Sequence, residues 1–182
     1  MQQYRALILR SNRFLGSALV DKKFVTVGDL EEANGRFMEA VQNSELQKAS
    51  ILSILVNELE KIDEGRLIEA QVDDDKLGLV DLSFLKLQSL RKMEVDFDAC
   101  WASWTVPFDL VDGTYLLASC YHLSAPVKKF WEELLKGKII WYVSSVRSIM
   151  NAFSQLEEIH KAEIEEEAEA AEEAALEQRL NS

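Results

Sequence analysis

The chain has 182 residues, is 48% hydrophobic and carries a formal net charge of −12. Such a length and apolar share can bury a substantial core, which excludes a disordered chain, and the acidic balance excludes nucleic-acid binding, which depends on Lys and Arg neutralising phosphates. The charge is uneven: from Glu157 onward ten glutamates stand against Lys161 and Arg179, so this last segment carries −8 and the body before it −4.

At the N-terminus, Arg5, Arg10 and Arg13 interrupt the first apolar residues, a pattern wrong for a secretory leader. Apolar stretches such as Ile51 to Val56 fall far short of the roughly 20 residues that span a bilayer, so direct membrane insertion is not expected. A faint duplication follows at an offset of 37 residues: Val25-Thr26-Val27-Gly28-Asp29-Leu30-Glu31-Glu32-Ala33 recurs as Ile62-Asp63-Glu64-Gly65-Arg66-Leu67-Ile68-Glu69-Ala70. Each copy has an apolar residue, an N-cap candidate (Thr26, Asp63), then Leu and Ala three apart on one helix face. The same offset sets Leu15 over Leu52 and Leu19 over Val56, so each copy predicts a helix, a break and a second helix. Thr26 and Asp29 form a capping-box pair ahead of the apolar stripe Leu30, Ala33, Phe37 and Val41, although Gly35 weakens that helix. Ser44 and Gln47 form a second box, with Leu52, Val56 and Leu59 in line behind it. Residues 1–76 are therefore expected to form a helical subdomain of duplicated helix pairs.

Residues 77–156 alternate. Leu79 to Leu82 reads as a strand, Val95 to Trp104 as a helix, and Thr105 to Leu110 as a strand that turns at Asp112-Gly113 onto Tyr115 to Cys120. Ser124 opens a helix through Val127, Phe130, Trp131 and Leu134 to Lys136, with Gly137 at its C′ position; Lys138 to Val143 is a strand, and Ser144 or Ser145 caps the last helix. The order β-α-β-β-α-β-α predicts a small α+β sheet with helices on one face. Residues 157–182 form an acidic Ala/Glu-rich tail, read from Ile159 to Leu180 as a solvated helical continuation whose large apolar residues do not sustain a coiled-coil heptad.

Catalytic constellations are scarce. His122 and His160 have no metal-ligand spacing around them, and Cys100 and Cys120 lie in apolar company outside any C-x-x-C pair, so they read as buried thiols. The Asp73-Asp74-Asp75 run lacks the alternation, glycine and terminal Glu of a calcium loop and reads as a charged connector. Trp101, Trp104, Trp131 and Trp141 are expected to share the core. No catalytic, cofactor or metal residue is therefore nominated.

Several motifs together resemble one family. Leu-Gly-x-x-Leu-Val-x-x-x-Phe-Val-Thr-x-x-x-Leu-x-x-Ala from Leu15 to Ala33, Gly78-Leu79-Val80-Asp81-Leu82-Ser83, and Val106-Pro107-Phe108 followed by Asp112-Gly113 and Tyr115 to Ser119 are similar, in order and spacing, to the N-terminal domain of the GspE/PilB/MshE ATPases of type II secretion and type IV pili. No glycine-rich phosphate loop of the motor is present in these residues. The resemblance implies a non-enzymatic adaptor that docks to protein components of a secretion or pilus assembly system, in the cytoplasm or held at the inner membrane through a partner. The alternatives it leaves are a diverged cyclic di-GMP receptor and an N-terminal fragment of a longer ATPase. Cyclic di-GMP binding in that family uses a doubled motif with Arg, Gly and Gln contacts; here Phe14, Lys23 and Phe37 stand in those places in the first copy, and Ile51, Ser53, Glu60 and Asp74 in the second. The helical framework is kept and the anion contacts are not, so cyclic di-GMP is not expected as a ligand, with Arg13, one position early, its only substitute contact. Partner binding is assigned to the exposed charges Lys22, Lys23, Asp29 and Arg36.

Overall fold

A computed structural model describes residues 1–180. After a short 3-10 turn come α1 (Arg5–Asp21) and α2 (Val27–Gln42). α3 is a single turn, Ile51–Ser53, widened into a π turn over Ile54–Glu58, and α4 covers Glu64–Asp73. The second half runs β1 (Gly78–Leu79), α5 (Phe97–Ser103), β2 (Thr105–Val111), β3 (Thr114–Ser119), α6 (Ala125–Leu135), β4 (Lys138–Val143) and α7 (Val146–Leu180). This is the α+β order expected, with the helical half first. The four strands lie in the order β1-β4-β3-β2; β4 is parallel to both its neighbours, and β2 and β3 form an antiparallel hairpin with an irregularity between Pro107 and Asp109.

The hairpin turn is set locally. Asp112 and Gly113 both have positive φ, the requirement of the tight turn whose twist matches paired strands. Thr26 and Asp29 form the full capping box, and Asp63 accepts from the Arg66 N–H, so the paired starts of α2 and α4 are real.

α1 lies at the centre. Ile8, Leu15 and Leu19 are buried, and the helix packs on α2 and α3 on one side and on α5 and α6 on the other. A Cβ on Gly16 would stand 2.7 Å from a Leu30 methyl carbon, so a larger residue there would turn the Leu30 side chain aside. One buried polar cluster ties this helix to both halves. Asn12 Oδ1 accepts from the Ile51 N–H (2.8 Å) and from the Tyr121 hydroxyl (2.6 Å), Ser50 bonds the same hydroxyl, and the Ser124 hydroxyl donates to the Ser11 carbonyl. Buried polar atoms that are all paired fix one arrangement of the helices around them. Trp104 and Trp131 are buried and Trp101 stacks against Phe153, in keeping with a shared aromatic core.

Five local expectations are corrected. Ser44 does not cap a helix: it takes a left-handed conformation, and Ser50, whose oxygen accepts from Ser53 N–H, opens α3 instead. The strand expected through Leu82 ends at Leu79, because the Leu82 N–H is taken by the Ser148 hydroxyl of α7 and the chain turns. Ser124 stands at the start of α6 without capping it, its hydroxyl being spent on Ser11. Lys136, not Gly137, takes the left-handed conformation that ends α6. The tail is docked further than expected: Ile159 packs on the core, His160 stacks on Phe97, Ser89 donates to Glu163, and Arg91 pairs with Glu163 and Glu167. Of the predicted tail, residues 181–182 lie outside the described residues.

Candidate functional site

Cys100, Cys120 and His122 are enclosed, whereas His160 is exposed on α7. Cys100 and Cys120 are buried free thiols, and burial pushes both thiols far above their ordinary range, the reverse of what a nucleophile needs. His122 is largely buried against Trp141; burial first, and Lys128 second, depress its imidazole to about 4, with Asp75 opposing. His122 Nδ1 makes no hydrogen bond among the described residues. Among the described residues no cluster of three His, Cys, Asp or Glu side chains could hold a metal ion, and no helix is long and apolar enough to cross a membrane.

The exposed charges of the first copy lie around the α1–α2 corner. Lys22 closes α1 and Lys23 follows in a left-handed turn, both exposed and in no ion pair among the described residues. Asp29 is committed: Thr26, through its hydroxyl and then its backbone N–H, lowers the carboxyl below the ordinary range, and Lys61 lies 3.3 Å away. Arg36 is committed too, to Glu32 at 3.7 Å and Glu58 at 3.1 Å. The four nominated residues thus split into two free lysines and two charges that bind the first copy to the second.

Beside this corner, α1 and α2 enclose a groove of about 410 Å³ lined by Leu9, Arg13, Ser17, Leu30, Asn34 and Met38. Phe14 and Met38 are 46% and 43% exposed, so two large apolar side chains stay wet on adjoining helices. Phe37, at the place of the family's nucleotide-contacting Gln, is buried in the core. Periodicity did not reveal the groove, because its residues occupy the flanks of helical stripes whose centres face inward. Exposed Phe and Met beside unpaired Arg was the available signal. Glu64 escaped notice as well: its carboxylate accepts from the Val146 N–H at 2.6 Å and so holds the start of α7, and no sequence pattern links two positions so far apart.

No family model matches the chain, and no curated protein does. Solved structures do match. The N-terminal domain of XpsE, in two crystal forms, superposes at TM-score 0.50 and 15% identity, over 80% of this chain and 94% of that domain in one form and 76% and 91% in the other. The chain has the fold of the XpsE N-terminal domain. A structure of MshE with cdg matches at TM-score 0.49 and 15% identity, over 78% of this chain and 97% of that one. The match to XpsE spans nearly the whole of that N-terminal domain.

Proposed function

We propose that the chain is a non-catalytic docking module that binds protein components of a secretion or pilus assembly machine, with Lys22, Lys23, Asp29 and Arg36 marking the contact surface. The observation that carries this reading is a fold shared with the XpsE N-terminal domain across most of both chains, joined to the burial of Cys100, Cys120 and His122. Within that surface the roles differ. Lys22 and Lys23 present free cations to a partner, whereas Asp29 and Arg36 hold the corner rigid through Lys61, Glu32 and Glu58. Exposed cations of this kind steer association more than they hold a fold.

The test is affinity capture from native lysate, read by mass spectrometry, with the intact chain and with Lys22→Glu/Lys23→Glu. The expected result is recovery of assembly-machine components by the intact chain and several-fold weaker recovery by the variant, with unchanged circular dichroism. Recovery unaffected by the double reversal but lost on deletion of the residues after Glu167 would move the docking element to the acidic helix. Recovery of no assembly component would remove the reading altogether.

A further inference from the structure

α1 and the far end of α7 are opposite in charge and comparable in length. α1 carries Arg5, Arg10 and Arg13 and no carboxylate before Asp21, and Arg10 and Arg13 are exposed and in no ion pair among the described residues. In a chain of net charge −12 this is an unmatched basic strip: Arg13 lines the groove in which Met38 stays wet, and Arg10 lies one turn back on α1, on the side toward Lys129 and Glu133 of α6. Among the described residues the body's last grip on α7 is Arg91 on Glu167. Beyond it the helix continues to Leu180, about 20 Å at 1.5 Å per residue, against about 25 Å for α1. Ala168 through Leu176 are all exposed.

This arm has two kinds of face. Ile164, Ala168, Ala171 and Ala175 fall within one side at helical spacing, and Glu165, Glu166, Glu169, Glu172 and Glu173 share the other sides with Ala170, Ala174 and Leu176. Small side chains on one side let a helix settle closely on a groove, with the glutamates reaching Arg13 in its lining and Arg10 one turn back. Two such arms would repel each other, so a basic surface, not another arm, is the fitting counterpart. The arm cannot return to its own groove, because α7 has no Gly or Pro at which to bend.

We infer that the arm of one copy lies in the α1–α2 groove of a second copy, giving a salt-sensitive dimer by reciprocal exchange. A closed two-fold pair of this kind satisfies both grooves and both arms with one contact repeated. It goes beyond the docking role above and does not require an assembly partner.

Sedimentation velocity on the full chain tests it. At tens of micromolar in low salt, the mass should be twice 20.7 kDa, falling to 20.7 kDa in about 0.5 M salt, where the Debye length shrinks to a few ångströms. Arg10→Glu/Arg13→Glu, which loses the groove, and a chain ending at Glu167, which loses the arm, should each be monomeric in low salt with circular dichroism showing a folded body. Mixed together, they should pair, since one keeps the arm and the other the groove. A full chain that is monomeric in low salt, a dimer that survives either change, or a mixture that does not pair would overturn the inference. Binding of the monomer to phosphatidylserine vesicles, lost in the Arg10→Glu/Arg13→Glu chain, would assign the strip to anionic lipid and overturn it as well.

Discussion

Thr26 and Asp63 stand 37 residues apart and do the same work, each accepting a hydrogen bond from the backbone N–H three residues on, yet the helices that precede them have little in common. α1 runs from Arg5 to Asp21, whereas its counterpart is the single turn of α3 and a π turn that ends at Glu58. Two things separate them. The second copy spells Ile51-Leu52-Ser53-Ile54-Leu55-Val56, rich in β-branched residues that restrict side-chain freedom in a helix, while α1 mixes Leu, Ala and Arg, which are good helix formers. α1 is also gripped from both sides, by α2 and α3 and by α5 and α6. A shared sequence pattern therefore specifies where a helix starts, and the neighbours decide how long it lasts.

The largest expected break in that comparison comes from the paired leucines. Leu15 and Leu52 are both 1% exposed. Leu15→Ala should cost about 4 kcal/mol, because α1 is held on all sides and cannot close the cavity, and Leu52→Ala about 2–3 kcal/mol, because the π turn can relax toward it. Urea unfolding of the two variants decides the matter; equal costs would mean that the second copy is as rigid as the first.

The next effect lies at the join between the copies. Asn12→Ala leaves the Ile51 N–H and the Tyr121 hydroxyl without their shared acceptor and should cost about 2–3 kcal/mol, whereas Tyr121→Phe removes one donor and should cost about 1 kcal/mol. Hydrogen exchange at the Ile51 amide should quicken in the first variant and not in the second.

Acid separates the copies from the sheet half, because residues 15–70 contain no histidine. Burial holds His122 at about 4 in the folded chain, below its ordinary 6.5, so the unfolded chain takes up the proton first. Stability is complete above pH 6.5 and declines as pH falls toward 4, by about 2 kcal/mol once the partial reach of solvent to the ring is allowed for. Unfolding midpoints measured from pH 7 to pH 4.5 should fall for the intact chain and flatten for His122→Gln. A slope unchanged by that substitution would place the acid-sensitive group elsewhere.

The smallest effect compares the caps themselves. Thr26→Ala breaks a reciprocal box with Asp29 and should cost about 1 kcal/mol; Asp63→Ala breaks a single bond and should cost about 0.5 kcal/mol. Thermal midpoints resolve the difference, and a reversed order would show that Asp63 gains more from the helix dipole than from its one hydrogen bond.

Features set by neighbouring residues were legible. The caps at Thr26 and Asp63, the Asp112-Gly113 turn, the limits of β4 and the β-α-β-β-α-β-α order all follow from residues within one turn or one hairpin of each other. The serines were not. Ser44, Ser124, Ser144 and Ser145 all look like caps in sequence, but Ser44 turns left-handed, Ser124 donates to Ser11 and Ser144 to Val80, and of these four Ser145 is the one that accepts from a helix N–H, while Ser50, which no pattern singled out, opens α3. A hydroxyl takes whichever partner tertiary packing brings nearest. Of the candidate surface, Lys22 and Lys23 could be read as exposed from the charge run, but the commitment of Asp29 to Lys61 and of Arg36 to Glu58 joins separate helices.

By itself the sequence determined the class of fold, the places where chain segments start and turn, and the concentration of acid at one end, because each rests on local propensity, periodicity or composition. Only the tertiary structure decided that Asn12 and Tyr121 bind the two halves together, that Glu64 caps α7, and that Arg91 holds the tail as far as Glu167. Those contacts pair residues more than 70 positions apart, where direction and distance depend on how the helices pack and not on what any one segment prefers.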